Sequence, residues 1–146
     1  MKISRHQVRV NAVILIYQTL MRSDSLDALY EIAEEHSDLV INDAVRELAG
    51  GASEKQEELD AIIQQYSPKR AVSRIAKLLH AILLVALYEM IYDDGTPDSA
   101  AISEALIICE EYSYFPEDVR FLNGLLGAFA RCRAGQSNPA EEPEQA

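Results

Sequence analysis

The sequence predicts an all-α fold, on three observations. Apolar residues recur at helical spacing through nearly the whole chain. No stretch alternates apolar and polar residues as a half-buried strand does. Ser, Asp, Pro and Gly fall between the apolar runs, where helices start and stop. The 146 residues, 49% hydrophobic and 25% charged, suit one globular domain with a substantial core.

Ser4 is placed to cap a first helix running to about Arg22, with Val8, Ala12, Leu15, Ile16 and Leu20 at helical spacing. Ser23, Asp24 and Ser25 form a turn and cap a second helix, whose stripe is Leu26, Leu29, Tyr30, Ile32 and Ala33. Ser37 or Asp38 caps a third, carrying Ile41, Ala44, Val45 and Leu48. Gly50-Gly51 follows. Two glycines disfavour a helix by about 2 kcal/mol together, so propensity predicts a break there. Leu59, Ile62, Ile63 and Tyr66 mark the next helical segment, which Ser67-Pro68 ends while starting another.

From Leu78 to Leu87 nearly every position is apolar, the mark of a helix enclosed on all sides. The eleven residues between Lys77 and Glu89 fall short of the roughly 20 needed to span a membrane, so this is a core helix. Its His80 reads as a hydrogen-bonded core histidine. Asp93-Asp94-Gly95 is a loop, and Thr96-Pro97-Asp98 a helix start, with the Thr96 hydroxyl as cap. Phe115-Pro116 opens the last helix, which carries Val119, Leu122, Leu125, Leu126 and Phe129 and frays after about Arg133. The expected division is a helical domain over 1–133 and a disordered acidic tail over 134–146.

The net charge of −11 argues against nucleic acid only as an average. Residues 1–23 hold Lys2, Arg5, Arg9 and Arg22 and no acid; residues 61–88 hold Lys69, Arg70, Arg74 and Lys77 and no acid. The intervening and following blocks are strongly acidic. Screening over roughly 10 Å lets such blocks act as separate surfaces.

Catalytic fingerprints are missing: no H-E-x-x-H, phosphate-binding loop or nucleophile elbow occurs, and the three histidines lack ligand spacing. Neither an enzyme, a metal nor a cofactor is expected. Cys109 and Cys132 have no metal or redox spacing and read as reduced thiols of a cytoplasmic protein, a single disulfide being the alternative. No secretory signal is recognisable near the start of the chain.

Three segments in order, over residues 4–130, resemble the NusB family of bacterial transcription antitermination factors. They are Ser4-Arg5-His6-Gln7-Val8-Arg9 leading to Tyr17-Gln18, then the run Ala81 to Met90 with its Ala86-Leu87-Tyr88-Glu89, then Ala101-Ile102-Ser103-Glu104-Ala105 followed by Phe121-Leu122-Asn123-Gly124. The resemblance implies about seven helices in two small packed bundles, with the third helix running through its glycine. It also implies binding of single-stranded, boxA-like RNA from ribosomal RNA operon leaders. The binding species would be a heterodimer with the ribosomal protein NusE, joining the RNA polymerase antitermination complex in the cytoplasm.

On this reading Lys2, Arg5, His6 and Arg9 are the RNA-binding candidates, helped by the helix N-terminus. Lys69, Arg70 and Arg74 are weaker candidates that either extend the surface or pair with the acidic block 24–60. The family's last helix approaches RNA at its start, which brings in Glu117 and Asp118. Tyr112, Tyr114 and Phe115 just before it either anchor the loop or offer a ring to a base. Leu79 and Leu84 stand where the family carries an acid and an arginine; they are either buried locally or candidates for a protein interface. They motivate an alternative: a protein-interaction module on the same scaffold, homodimeric or with another partner, that has lost RNA.

Overall fold

A computed structural model describes residues 2–36 and 39–135. Among these residues seven α-helices follow one another: α1 (Arg5–Arg22), α2 (Leu26–His36), α3 (Asp43–Glu54), α4 (Gln56–Tyr66), α5 (Lys77–Tyr92), α6 (Asp98–Tyr112) and α7 (Pro116–Arg133). A single 3₁₀ turn, Val72–Arg74, precedes α5, and no strand occurs among the described residues.

The enclosed helix is where its composition requires it to be. α5 packs against α1, α3, α4, α6 and α7, and every residue from Leu79 to Leu87 is buried. α1, α2 and α3 form a group on one side, α4, α6 and α7 on the other, and α5 belongs to both. One continuous apolar core, including Leu15, Ile16, Leu59, Ile63, Leu83, Leu122 and Leu126, runs through the two groups. No described helix is long and apolar enough to cross a membrane.

Local chemistry accounts for most helix ends. The Ser4 hydroxyl accepts from the Gln7 N–H (3.0 Å), and Ser25 does the same for Ala28 (3.1 Å). Ser23 ends α1 in the left-handed region (φ 60°). α3 is capped by the Asn42 side chain, which accepts from the Val45 N–H at 2.9 Å; Ser37 and Asp38 lie outside the described residues. Pro116 occupies the first turn of α7.

Four expectations need correction. α3 does not break at Gly50-Gly51 but runs to Glu54, and the break falls at Lys55 (φ −95°, ψ 12°). The reason is packing: a Cβ on Gly51 would lie 2.1 Å from Cζ of Tyr88, so glycine lets α3 lie against a tyrosine of α5. Ser67-Pro68 starts no helix. The Gln64 side chain holds a turn there, donating to the carbonyls of Ser67 (2.9 Å) and Arg70 (3.1 Å) and accepting from the Val72 N–H (3.2 Å). The Thr96 hydroxyl caps nothing, because it is engaged by carboxylates described below. Leu79 and Leu84 are not surface residues. Both are buried, as an all-round apolar helix at the centre demands, and neither is available to a partner.

His80 is a core histidine as expected, with Nε2 2.6 Å from the Asp60 carboxylate. Neither Cys109 nor Cys132 is in a disulfide, and burial foremost, helped by Asp118 and Glu110, pushes the Cys109 thiol up to about 11, so it stays protonated.

Gly50 and Gly51 should therefore respond oppositely to alanine. Nothing lies within 4 Å of a Cβ on Gly50, so Gly50→Ala should stabilise by about 0.5–1 kcal/mol. Gly51→Ala should destabilise by about 1–3 kcal/mol through overpacking against Tyr88. Urea unfolding midpoints of the two variants measure the contrast.

Candidate nucleic-acid interface

α1 begins with four cationic or titratable side chains and no acid: Lys2 just before the cap, then Arg5, His6 and Arg9. The fold sorts them by depth. Arg9 faces inward, with a side chain 10% exposed, onto Glu89 of α5, which is 1% exposed. The contact is two-pronged: Arg9 Nε donates to Oε1 (2.9 Å) and Oε2 (3.1 Å), and Nη2 to Oε2 (2.7 Å). Nη1 also lies 3.8 Å from Glu104 of α6.

Arg5, one turn earlier, sits at the rim with its side chain 42% exposed. Its Nη2 reaches Glu89 (3.2 Å) and Asp93 (3.0 Å), leaving Nη1 and Nε without a protein acceptor among the described residues. Thr96 completes the knot by donating toward Glu89 Oε2 (3.1 Å) and Asp93 Oδ2 (3.0 Å). His6 turns to α6, with Nδ1 2.6 Å from Glu104 and Nε2 3.2 Å from Glu111. Lys2 is exposed.

Two titrations are shifted as a result. Burial works against the Glu89 charge, but the hydrogen bonds and charge of Arg9, with those of Arg5, outweigh it and hold the carboxyl below its ordinary value. The hydrogen bond to Glu104 raises His6 above 6.5; burial opposes this, and the charges of Glu104 and Glu111 add to the rise.

The structure thus divides the predicted cluster. Lys2, Arg5 and His6 form a solvent-facing edge, whereas Arg9 is an internal strut whose guanidinium is committed to Glu89. The sequence reading missed Glu89. Its signal was there: it is the first acid after the apolar run, in a helix that must lie against the acid-free α1.

The second basic block is a separate surface. Lys77 and Glu89 are twelve positions apart on α5, about 18 Å along its axis, so the block lies at the opposite end of that helix from Arg5. Lys69 and Arg74 are exposed, and the Arg70 guanidinium lies 4.5 Å from the Phe121 ring centroid on α7. At the start of α7, Glu117 is exposed, while Asp118 accepts the Ser113 hydroxyl (2.5 Å) and so braces the loop. Tyr114 and Phe115 are exposed and do not anchor that loop, while Tyr112 is half-exposed with one side on an apolar groove. An apolar groove of about 380 Å³ opens between Val13, Ile14, Tyr17, Leu78 and Tyr112.

A central apolar helix shared by two small helical groups defines a class of compact helical proteins found among solved structures. NusB of T. maritima superposes with a TM-score of 0.77 at 26% identity, covering 90% of this chain and 93% of that one. A crystal structure of the antitermination factors NusB and NusE in complex with dsRNA superposes with a TM-score of 0.75 at 21% identity, covering 88% and 96%. The NusB family pattern matches residues 6–131, and the chain belongs to that family. Among curated relatives, the transcription antitermination protein NusB of Acetivibrio thermocellus is 35% identical, covering 94% of this chain and 99% of that protein. That of Symbiobacterium thermophilum is 33% identical, covering 86% and 79%.

Two measurements check the site. Glu89→Gln should destabilise by about 3–5 kcal/mol, because it leaves Arg9 buried without its counter-charge; denaturant unfolding at neutral pH reads this. His6 has a raised value in the fold, so its contribution is complete below 6.5 and is lost as pH rises through the raised value. The stability difference between the wild type and His6→Ala should accordingly be larger at pH 6 than at pH 9.

Proposed function

We propose that this chain is a cytoplasmic, non-enzymatic transcription antitermination factor. It binds boxA-like RNA of ribosomal RNA operon leaders as a heterodimer with a NusE-type ribosomal protein, within the RNA polymerase antitermination complex. The observation that carries the reading is the edge formed by Lys2, Arg5 and His6 on an acid-free first turn, in a chain of the NusB family. Arg5 is suited to phosphate because part of its planar fork stays open while Glu89 and Asp93 fix its position. Family membership supports the assignment through relatives named as transcription antitermination proteins.

The heterodimer follows from electrostatics as well as from family. A net charge of −11 weakens RNA binding by the chain alone, and a basic partner offsets it. The family's partner lies toward position 79. Leu79 itself is buried, but its neighbour Leu78 lines the apolar groove, which makes that groove the candidate partner face. The alternative of an interaction module that has lost RNA rested on Leu79 and Leu84 at the surface, and their burial removes its basis.

The test is binding of a boxA-containing RNA oligonucleotide across a salt series, with and without NusE. Lys2→Ala with Arg5→Ala should weaken binding and reduce the slope of log affinity against log salt by about 0.7 for each lost phosphate contact. Absence of binding at low salt in both conditions overturns the reading.

A further inference from the structure

Of the three residues on the N-terminal edge, only His6 belongs to a type whose charge changes near neutral pH; lysine and arginine stay cationic there. Its ring stands between two carboxylates of α6. Nδ1 lies 2.6 Å from Oε2 of Glu104, and Nε2 lies 3.2 Å from Oε1 of Glu111. The two acids are seven positions apart, close to two turns along one helix face, so a single ring from α1 bridges them.

An ionised carboxylate accepts hydrogen bonds and donates none. Both contacts are satisfied together only when both ring nitrogens carry hydrogen, which is the charged imidazolium. A neutral ring has one N–H and turns the lone pair of its other nitrogen onto a carboxylate oxygen. The arrangement therefore selects the cation, and the raised value of His6, due first to the Glu104 hydrogen bond, agrees with it. The surrounding charges leave this task to His6. Arg9 of α1 reaches Glu104 only at 3.8 Å, while its Nε and Nη2 serve Glu89 of α5. Arg5 is engaged with Glu89 and Asp93. Among the described residues Glu111 pairs with no other cation.

We propose that His6 is a positioning residue whose proton sets the RNA affinity of the N-terminal edge. This inference rests on the RNA-binding reading above and deepens it. Both ring nitrogens are committed to α6, so His6 offers phosphate a charge but no hydrogen bond, and the direct contacts fall to Lys2 and Arg5. Arg5 and His6 are consecutive on α1, so a phosphate on Arg5 lies within the screening length of roughly 10 Å from the acids that His6 holds. Charged, the ring offsets those acids and ties α1 to α6. Without its proton it gives up one of the two bonds, and Glu104 and Glu111 then repel the phosphate with no counter-charge between them. RNA is bound more tightly below the titration of His6 than above it.

The experiment uses the full chain with NusE and a boxA-containing RNA oligonucleotide. Affinity is measured from pH 6 to pH 9 at fixed ionic strength, and the His6 imidazole is followed by NMR, its signal assigned by its loss in His6→Gln. Wild-type affinity should fall about 5-fold as pH rises through the His6 titration, the size expected of one charge acting through water on one or two phosphates. By reciprocity, RNA should raise the His6 titration midpoint by about 0.7, the logarithm of that factor. His6→Gln takes up no proton and should bind at the wild type's high-pH level throughout. Glu104→Gln keeps an acceptor without the charge and should move the fall in affinity to lower pH. Wild-type affinity flat in pH, with a midpoint that RNA does not move, overturns the role of His6 and leaves the RNA reading intact. An equal fall in His6→Gln also overturns it, and places the titrating group elsewhere in the complex. No RNA binding at any pH in the range fells both readings together.

Discussion

The pairing of Arg9 with Glu89 is the constraint on which the N-terminal half of the molecule depends. Two charges held out of water are tolerable only when each satisfies the other with good geometry, and here three short hydrogen bonds do so. The pair fixes where α1 lies along α5, since sliding α1 by one turn would strand both charges. Arg5 and Thr96 each bridge the carboxylates of Glu89 and Asp93, so the loop after α5 is positioned by the same cluster. The outer cationic edge inherits this precision. Arg5 and His6 are presented by a helix whose position is set by a buried neighbour whose guanidinium is turned onto Glu89.

The same economy governs α5. A helix touched by five others has no face for solvent along its middle, and its sequence shows it in the run from Leu78 to Leu87, apolar at every position but His80. Tyr88 and Glu89 follow immediately and make the two specific contacts, one with the backbone of α3 at Gly51 and one with Arg9. Apolar burial places the helix; these two residues fix its rotation and register.

Helix existence was legible except after Ser67-Pro68, because 3.6-residue periodicity is a direct imprint of one-sided burial. The caps at Ser4 and Ser25 were legible because a hydroxyl next to an apolar run has a specific local partner. Gly50-Gly51 misled because propensity is local, whereas the need for a missing Cβ arises from Tyr88, 37 positions away. Thr96 misled in the same way: a hydroxyl at a helix start looks like a cap until a distant carboxylate claims it. In the site, charge counting found the basic edge, but depth is not written in a list of charges. Arg5 and Arg9 are equivalent by spacing, and only the arrival of Glu89 separates rim from strut. Leu79 and Leu84 were set apart by contrast with family pattern, when the apolar run around them already spoke for burial.

The separation between the partners of the central ion pair also bears on how the chain is made. Arg9 and Glu89 stand 80 residues apart, so at about 5–20 residues per second the ribosome releases α1 some 4–16 s before its counterpart exists. Through that interval the apolar stripe of Val8, Ala12, Leu15 and Ile16 has no α5 to cover it. Until then α2 and α3 are the partners available to α1, and its acid-free first turn keeps that segment charged.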